Sequence, residues 1–487
     1  MHSPNHHVDL ESLALQSMLE HGFEPDFPPE VQQQLDSLNA HPPQISPSTD
    51  IRDLRNQPWS SIDNDTSRDL DQIEVAEDLG DGKIKVMIGI ADVDTFAKRA
   101  TPIDQHAARE TTTVYTGVRI FPMLPEQLST AASSLLQDQD RLAIVTEYVV
   151  DTQGCVDSGN IYRAIVRNKA QLAYSAVGAW LEGHSGPPER IANSPEIQQQ
   201  IKLQDRAAQA LKSERYRHGA LNIESTELQP VFHGDQVVDV AQQEKNRASD
   251  LIEDFMIAAN GAVARYLLDV SSIRRIVRTP LRWDRIVELA AQHGGHLPAT
   301  PDSKALNDFL EKQKAADPDR FPEVSLIVVK LMGPGEYVLE PPGDTGEGHF
   351  GLAVQDYTHS TAPNRRFADV VTQRLIKAKL AKRNGPYSDT ELNTIAQNCT
   401  QKENAARKVE REMGKRIAAV AMSHRVGETF NAIVTGAGPK GTFVRAFQPH
   451  IEGMLQHGRN GFDVGDRLRV KLVHTDPVHG YIDFDHA

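Results

Sequence analysis

Cysteine is scarce in this chain, whose 487 residues include only Cys155 and Cys399. Two cysteines are too few for a disulfide framework or a cysteine-rich zinc site, which agrees with a reducing compartment. No apolar run approaches the ~18 residues that a membrane-spanning helix needs, and the first residues lack the apolar segment of a signal peptide. We therefore expect a cytoplasmic protein without a membrane partner.

Positive charge is also in short supply. The chain has 52 Lys and Arg residues against 67 Asp and Glu, a formal net charge of -15. This balance argues against loose binding of nucleic acid over the whole surface, so a polyanion would need a local basic channel or a metal bridge. The length predicts two to four domains with room for a large core.

Acidic side chains crowd one short stretch. Residues 61–72 read Ser-Ile-Asp-Asn-Asp-Thr-Ser-Arg-Asp-Leu-Asp-Gln. So many carboxylates are costly to gather unless a cation offsets their charge, and a hard ion such as Mg²⁺ prefers oxygen ligands. A solvated acidic turn is the alternative, because Asn-Asp-Thr-Ser favours turns. A calcium loop is excluded, since the required later Gly and Glu are missing. The carboxylates are those of Asp63, Asp65, Asp69 and Asp71.

Two short helical patterns precede this stretch, over residues 9–20 and 30–38, and a proline-rich linker follows them. We interpret the terminal His2, His6 and His7 as part of a frayed end rather than a metal-binding tract. The sequence thus predicts a helical N-terminal segment and linker over residues 1–48.

Strand and helix patterns alternate through the middle of the chain and predict one large mixed domain over residues 49–387. The expected strands are 84–91, 114–123, 141–150 and 161–168. The expected helices are 104–113, 174–181, 249–268, 283–293 and 303–312.

The longest helical pattern covers residues 388–425. Ser388 and Glu391 form a capping-box signature, and apolar residues follow at helical spacing. One side of this helix is basic, and it either contacts phosphates or is simply solvated. The basic residues are Arg407, Lys408, Arg411, Lys415 and Arg416.

Residues 426–487 carry short alternating strands separated by glycines, which predicts a small five-stranded barrel of the OB type. Such barrels bind single-stranded nucleic acid on an exposed face. Phe430, Phe443 and Arg445 are the contact candidates, and burial of the two Phe side chains in the barrel core is the alternative. The expected strands are 429–434, 442–446, 452–455, 467–473 and 481–484.

A second informative stretch, residues 357–369, reads Tyr-Thr-His-Ser-Thr-Ala-Pro-Asn-Arg-Arg-Phe-Ala-Asp and is followed by Arg374. Together with the acidic run and four shorter motifs in order, it resembles the RNB catalytic domain of the ribonuclease II and ribonuclease R family. The tail resembles the OB-fold domain that follows it there, whereas no counterpart of the family's usual two cold-shock barrels is recognised. The shorter motifs are Val114-Tyr115, Phe121-Pro-Met-Leu-Pro-Glu, Leu251-Ile-Glu-Asp-Phe-Met-Ile-Ala-Ala-Asn260 and His349-Phe-Gly-Leu-Ala.

The resemblance implies an α+β protein: a mixed catalytic domain followed by an all-β OB barrel. It also implies a hydrolase, a 3′-to-5′ exoribonuclease that cuts single-stranded RNA to nucleoside 5′-monophosphates with Mg²⁺, or alternatively Mn²⁺, as cofactor. We expect a monomer. Because cold-shock barrels are not recognised, we also expect weaker binding of long RNA than in family members that have them.

The same resemblance assigns residues to roles. Asp69, Asp71 and Arg365 correspond to catalytic residues, and Asp63, Asp69 and Asp71 to metal ligands, with Gln72 as a fourth candidate ligand. Ions held there would activate water and stabilise the leaving oxygen, and a forked guanidinium suits the charge on the phosphoryl oxygens. A structural ion pair with Asp369 is the alternative for Arg365.

Other residues correspond to substrate contacts. Tyr115 lies where an aromatic residue packs near the terminal nucleotide, and Tyr174 and Glu253 match residues that hold the 3′ ribose. Two half-buried aromatic side chains and an ordinary helix-surface glutamate are the alternatives. The remaining candidates are Arg366, Phe443 and Arg445.

The chain departs from the family pattern at several positions. The acidic run normally ends Asp-x-Asp-Asp, whereas here Gln72 takes the last place, so one metal is expected to bind more weakly. Asp65 is a candidate substitute. The other departures are Gly89, in place of a usual His, and Ser360, Ala362, Asn364 and Phe367.

Two rival functions remain open. The first is a catalytically impaired RNA-binding or regulatory protein that keeps the RNB shell, with Gln72 as its support. The second is a trimming nuclease restricted to short or specific RNAs. Product size and substrate-length dependence discriminate between them.

Overall fold

A mixed eight-stranded sheet is the centre of the computed structural model. The structure describes residues 8–487 except 158, 224–226, 235, 244, 319, 345, 440, 458–460 and 463, with the side chains of 227, 228, 236, 242 and 243 also left out. The terminal tract with His2, His6 and His7 therefore lies outside the described residues.

The α-helices of the described chain are α1 Leu10–Glu20, α2 Pro29–Ala40, α3 Pro102–Glu110, α4 Tyr174–Leu181, α5 Glu189–Ala192, α6 Pro195–Arg217, α7 Arg247–Tyr266, α8 Trp283–Gln292, α9 Ser303–Ala316, α10 Phe321–Met332, α11 Phe367–Leu380 and α12 Asp389–Met422. None of them has the length and apolarity that crossing a bilayer requires.

The β-strands of the described chain are β1 Ile51–Asp53, β2 Ser60–Asp63, β3 Gln72–Gly80, β4 Lys83–Ala91, β5 Val114–Tyr115, β6 Ile120–Phe121, β7 Asp140–Val150, β8 Val156–Asp157, β9 Ile161–Arg167, β10 Ala170–Ala173, β11 Glu227–His233, β12 Gln236–Gln243, β13 Ser272–Ile276, β14 Glu336–Glu340, β15 Thr429–Gly438, β16 Gly441–Ala446, β17 Glu452–His457, β18 Arg467–Asp476 and β19 Tyr481–His486.

The central sheet has the order β1-β9-β7-β4-β3-β2-β10, with β8 attached to β7. Its inner strands are buried on both faces because helices cover each side. Ile73 and Val75 of β3 share a core with α2, α3, α11 and the first half of α12. Ile88 of β4 shares a second core with α4, α6 and α7. The acidic run connects β2 to β3 and therefore starts and ends in this rigid sheet.

Helix α12 is supported by two cores. The Ser388–Glu391 capping box is present as expected. Near its start Leu392 packs in the core of the central sheet, and further along Met413 and Ile417 pack with α1 and the C-terminal barrel. On its basic side Arg407 pairs with Glu403 at 2.5 Å. The exposed basic residues are Arg407, Lys408, Arg411 and Lys415, and their exposure fits both interpretations of this surface.

The C-terminal strands close into a five-stranded barrel of order β15-β16-β17-β19-β18, which confirms the predicted OB-type barrel. Phe430 is buried and packs edge-on against Phe484, with ring centroids 6.2 Å apart. Its assignment as a nucleic-acid contact is therefore wrong, and the core alternative holds for this residue. Phe443 is 36% exposed.

One expected strand is also corrected. Residues 114–123 are not a single extended strand but the hairpin of β5 and β6. The reason is the turn between them, where Gly117 has φ +83° and the Thr116 amide donates to the Arg119 carbonyl. The helices α6, α10 and α11 were not predicted, although Ser194 and Pro195 give a clear start signal for α6.

Buried His106 ties helix α3 to the N-terminal segment and should make the fold acid-sensitive. Its ring lies tilted against that of Phe27, with ring centroids 4.3 Å apart, and burial lowers its pKa to about 4. Between pH 6.5 and 4 the unfolded chain binds a proton here that the folded chain does not, so stability falls as the pH falls. In His106→Leu we expect this acid-induced loss to shrink by about 2 kcal/mol.

Urea denaturation at pH 7 and pH 4 measures this difference. His41→Leu, a change at an exposed histidine, is the control and should leave the loss unchanged. An equal loss in wild type and His106→Leu would refute the assignment.

Candidate active site

The acidic loop between β2 and β3 is fixed rather than solvated along its second half. The amide of Leu70 donates to the Ser134 hydroxyl at 3.0 Å, and that hydroxyl donates to the Arg68 carbonyl at 2.6 Å. The Asp71 carbonyl accepts the Ala91 amide at the end of β4. The loop backbone is thus held by the sheet and by the segment that precedes β7.

Asp71 is the buried centre of the site, with only 1% of its surface exposed. One carboxylate oxygen accepts the backbone amide of Asn364 at 2.9 Å. The other accepts Nε of Arg365 at 3.2 Å. The structure therefore brings the acidic run into contact with the stretch 357–369. In the sequence, Asp71 and Arg365 are 294 positions apart.

The turn that carries Arg365 and Arg366 leads into α11. Arg366 forms a two-point ion pair with the fully buried carboxylate of Asp369, at 2.9 and 2.7 Å. The partner of Asp369 is therefore Arg366, and the alternative that assigned this ion pair to Arg365 is wrong. The side chain of Arg365 stays 46% exposed, so its remaining N–H groups face solvent.

Tyr115 joins this group from the β5–β6 hairpin. Its hydroxyl donates to a carboxylate oxygen of Asp69 at 3.1 Å, and its amide donates to Glu410 of α12 at 3.3 Å. The Tyr115 side chain is still 40% exposed. An aromatic surface next to two acidic groups and an arginine is available to a ligand.

Burial and like charge set the electrostatics of the acidic groups. Burial raises the pKa of Asp71 to about 7, although Arg365 and the Asn364 amide oppose the shift. Burial also raises the pKa of Asp63, and Asp69 adds to that rise. A bound cation would relieve both effects, because it favours the charged form of a carboxylate.

These oxygen donors fit a hard divalent ion. Carboxylates are its preferred protein ligands, and such an ion usually keeps several waters and substrate phosphates. Within the described part of the chain, no three or more His, Cys, Asp or Glu side chains already converge on one metal position. An ion bound at this loop would therefore take part of its coordination from substrate and water. Asp63, Asp69 and Asp71 are the residues that would hold it.

Two other members of the loop behave differently. Gln72 is buried at the first position of β3, opposite Ile90. Asp65 is exposed and accepts the Ser175 hydroxyl at 2.9 Å. Its engagement with α4 gives no support to the idea that Asp65 replaces the missing acid at Gln72.

Tyr174 and Glu253 approach the loop from the other side. Tyr174 is the first residue of α4, and burial raises the pKa of its hydroxyl, with Asp63 and Glu253 adding to the rise. The hydroxyl is therefore a neutral donor at ordinary pH. Glu253 of α7 pairs with Lys245 at 2.6 Å. Both residues lie within electrostatic reach of the site.

The departures in the second motif involve side-chain as well as backbone contacts: the Ser360 hydroxyl donates to Asn260 at 2.8 Å, and the Asn364 side chain accepts the Ser133 hydroxyl at 2.6 Å. The amide of Asn364 binds Asp71, the amide of Ala362 donates to Asp369 at 2.8 Å, and the amide of Ser360 donates to Asn260 at 2.9 Å. Any residue except proline supplies such an amide. These contacts, and that of Ser134, were missed in the sequence because backbone donors and a lone serine leave no pattern.

Arg445 is not placed as expected. Its guanidinium pairs with Glu323 of α10 at 2.8 Å, and both side chains are largely buried. This ion pair joins the barrel to the helical region, so the structure speaks against Arg445 as an RNA contact. Phe443 of the same strand remains accessible.

Comparison with known proteins agrees with this architecture. The model of the RNB domain matches residues 51–382, and that of the RNase II-type exonuclease C-terminal S1 domain matches residues 428–487. The chain belongs to the RNB-domain family. The expected family and the α+β fold class are thereby confirmed.

Among relatives, Ribonuclease R of Thermotoga maritima is 30% identical over 98% of this chain and 70% of its own length. Ribonuclease R of Escherichia coli is 29% identical over 91% of this chain, which spans 56% of that protein.

Solved structures show the same fold. Mycoplasma genitalium RNase R in complex with ribose methylated single-stranded RNA superposes with a TM-score of 0.86 at 21% identity, covering 98% of this chain and 78% of that one. Yeast Ssd1, described as a pseudonuclease, superposes with a TM-score of 0.74 at 15% identity, covering 96% of this chain and 59% of that one. At such identities the likeness shows the fold alone.

The raised pKa of Asp71 predicts a stability cost at the site. Between its ordinary value and about pH 7 the folded chain keeps a proton that the unfolded chain has released, so stability falls as the pH rises through this window. Asp71→Asn removes that loss. We expect the metal-free variant to be up to about 4 kcal/mol more stable than wild type at pH 8, with the gain vanishing near pH 4.

Denaturation in the presence of a chelator at both pH values measures the gain. Asp65→Asn, a change at the exposed carboxylate of the same loop, is the matched control and should have little effect. No gain at pH 8, or an equal gain at pH 4, would contradict the assignment.

Proposed function

We propose that this chain is a 3′-to-5′ exoribonuclease that hydrolyses single-stranded RNA to nucleoside 5′-monophosphates with a divalent metal ion. The observation that carries the proposal is the contact of buried Asp71 with Arg365 and the Asn364 amide. It places an arginine whose side chain is 46% exposed beside an acidic loop, a combination that suits phosphodiester hydrolysis.

Asp63, Asp69 and Asp71 are proposed to hold Mg²⁺ or Mn²⁺. A bound ion would polarise the scissile phosphate and lower the pKa of a coordinated water. Arg365 uses Nε to hold Asp71 and directs its remaining donors at a phosphoryl oxygen, where charge grows in the transition state. Because Asp71 also fixes the guanidinium, loss of this acid would disturb two functions together.

The aromatic and polar residues around the loop are proposed to hold the 3′ end of the RNA. Tyr115 offers an exposed ring for stacking on the terminal base. The Tyr174 hydroxyl is a donor and the Glu253 carboxylate an acceptor, so the pair can recognise a ribose 2′-hydroxyl. Arg366 is held by Asp369, so its part is to fix the turn that presents Arg365.

The acidic net charge is compatible with an anionic substrate under this proposal. Arg365 and the metal ion supply positive charge only along the path of the RNA, whereas the rest of the surface stays negative. Ribonuclease R relatives bear a name that denotes RNA cleavage, and one solved neighbour contains single-stranded RNA. Both support RNA as the substrate.

Loss of catalysis is the competing possibility, since one neighbour with this fold is a pseudonuclease and Gln72 replaces an acid. Incubation of the protein with a 5′-labelled single-stranded RNA and Mg²⁺ distinguishes an active exoribonuclease from a protein that has lost catalysis. We expect stepwise shortening from the 3′ end with release of monophosphates, and a loss of at least about 100-fold in Asp71→Asn. Asp65→Asn is the control and should keep most of the activity.

Retained binding without cleavage in Mg²⁺ and Mn²⁺ would refute the proposal and favour an RNA-binding protein. Cleavage confined to short oligonucleotides would favour a trimming nuclease.

The barrel is proposed to bind RNA through Phe443. In the Asp71→Asn background, Phe443→Ala should weaken binding of single-stranded RNA about tenfold, since a stacked base contributes roughly 1–3 kcal/mol. Tyr481→Ala, a change at an exposed aromatic residue of β19, is the control and should bind normally. Fluorescence anisotropy with labelled RNA measures both affinities, and equal effects of the two changes would exclude a specific role for Phe443.

A further inference from the structure

Glu74 of β3 is a buried carboxylate that none of the roles above uses. It lies two residues after Gln72, opposite Ser60 of β2 and Ile88 of β4, and its relative exposure is 0%. Because side chains alternate along a strand, Gln72 and Glu74 project from the same face of β3, about 7 Å apart.

Neither carboxylate oxygen of Glu74 accepts a hydrogen bond from another residue in the part of the chain that the structure describes. The neighbouring side-chain amide of Gln204 donates to the Glu74 main-chain carbonyl at 3.4 Å and to the Ser60 hydroxyl at 3.5 Å. A buried acid without partners is costly, and such groups commonly serve a bound ion or a reaction.

The other buried glutamates show what is missing at Glu74. Glu340 pairs with Arg274 at 2.8 Å, Glu323 pairs with Arg445 at 2.8 Å, and Glu110 lies 3.8 Å from Lys402. No such basic partner contacts Glu74 among the described residues. A cation that the protein itself does not provide would complete its environment.

The groups that face Glu74 connect it to the acidic loop. Glu74 is paired with Ser60 of β2, the strand that ends at Asp63, and the charge of Asp63 adds to the pKa rise that burial causes at Glu74. The hydroxyls of Tyr174 and Tyr148 also sense its charge. Asp63 is thus a shared neighbour of the loop and of Glu74.

We infer that Glu74 belongs to the divalent-cation site of this chain and, once the ion displaces its proton, supplies the negative charge that the acidic run lacks at Gln72. In this arrangement the side chain of Gln72 provides a neutral carbonyl oxygen for the ion. The carboxylate of Glu74, on the same face of β3, provides negative charge near that oxygen. The inference rests on the proposed metal-assisted function. The ligand is a hard divalent ion, Mg²⁺ or Mn²⁺.

Metal affinity, rather than activity, tests the inference. Mn²⁺ binding to the full chain is measured without RNA by electron paramagnetic resonance for wild type, Glu74→Gln, Gln72→Asp and the double variant. We expect Glu74→Gln to weaken binding about tenfold, as loss of a supporting group typically does. Gln72→Asp should restore wild-type affinity in the Glu74→Gln background.

Glu110→Gln is the matched control, because Glu110 is also a buried glutamate with a raised pKa but contacts the N-terminal segment and Lys402. It should leave Mn²⁺ affinity unchanged. Equal affinities of wild type and Glu74→Gln would overturn the inference, and so would equal losses in Glu74→Gln and Glu110→Gln. Thermal unfolding of each variant checks the fold, and Glu74→Met replaces Glu74→Gln if the latter is unfolded.

The outcomes separate this inference from the proposed function. If wild type binds Mn²⁺ and degrades RNA while Glu74→Gln binds Mn²⁺ normally, only the role of Glu74 fails. If wild type degrades RNA with no Mn²⁺ bound, or binds neither Mn²⁺ nor RNA, the metal-assisted mechanism fails and the role of Glu74 fails with it.

Discussion

The contact of Asp71 with Arg365 and the Asn364 amide is the constraint on which the rest of the site depends. It joins a loop of the central sheet to the turn before α11, so the two halves of the site hold each other in position. A carboxylate that is 1% exposed tolerates this position because an amide and a guanidinium share its charge. Two further contacts lie beside that pair: Tyr115 binds Asp69 of the same loop, and Arg366 binds Asp369 of α11.

Buried charge is distributed unevenly in this protein. Most buried acids have a basic partner within the fold, as Glu340 and Glu323 do, and such pairs join strands or domains. Around the acidic loop, by contrast, carboxylates outnumber the basic groups that face them, and the pKa values of Asp63, Asp71 and Glu74 are all raised. The excess of negative charge around the loop is tolerable if the site binds a cation from solution.

Local patterns in the sequence predicted the helices and strands well where periodicity and caps were strong, as in α12 with its Ser388 capping box. The acidic loop and Arg365 were also identified from the sequence, because the density of charged residues and the order of motifs are properties of the sequence itself. The direct contact between Asp71 and Arg365 could not be predicted from the sequence, because the two residues are distant in the chain.

The remaining errors have physical causes. Arg445 looks like a nucleic-acid contact in the sequence, but Glu323 from a distant helix neutralises it. Phe430 and Phe443 look equivalent, yet strand alternation and barrel closure bury one and expose the other. Glu74 carries no signal at all, because burial without a partner is a property of the folded chain only.

Helix α12 also imposes a constraint on how this chain can change in length. Near its start the helix packs into the core of the central sheet through Leu392, and near its end it packs into the core of the barrel through Ile417. Each residue of an α-helix rotates the chain by about 100° and advances it by about 1.5 Å. A single insertion or deletion between these two residues would turn the barrel away from the hairpin that carries Tyr115. Surface loops can vary in length, but this segment has to keep its register.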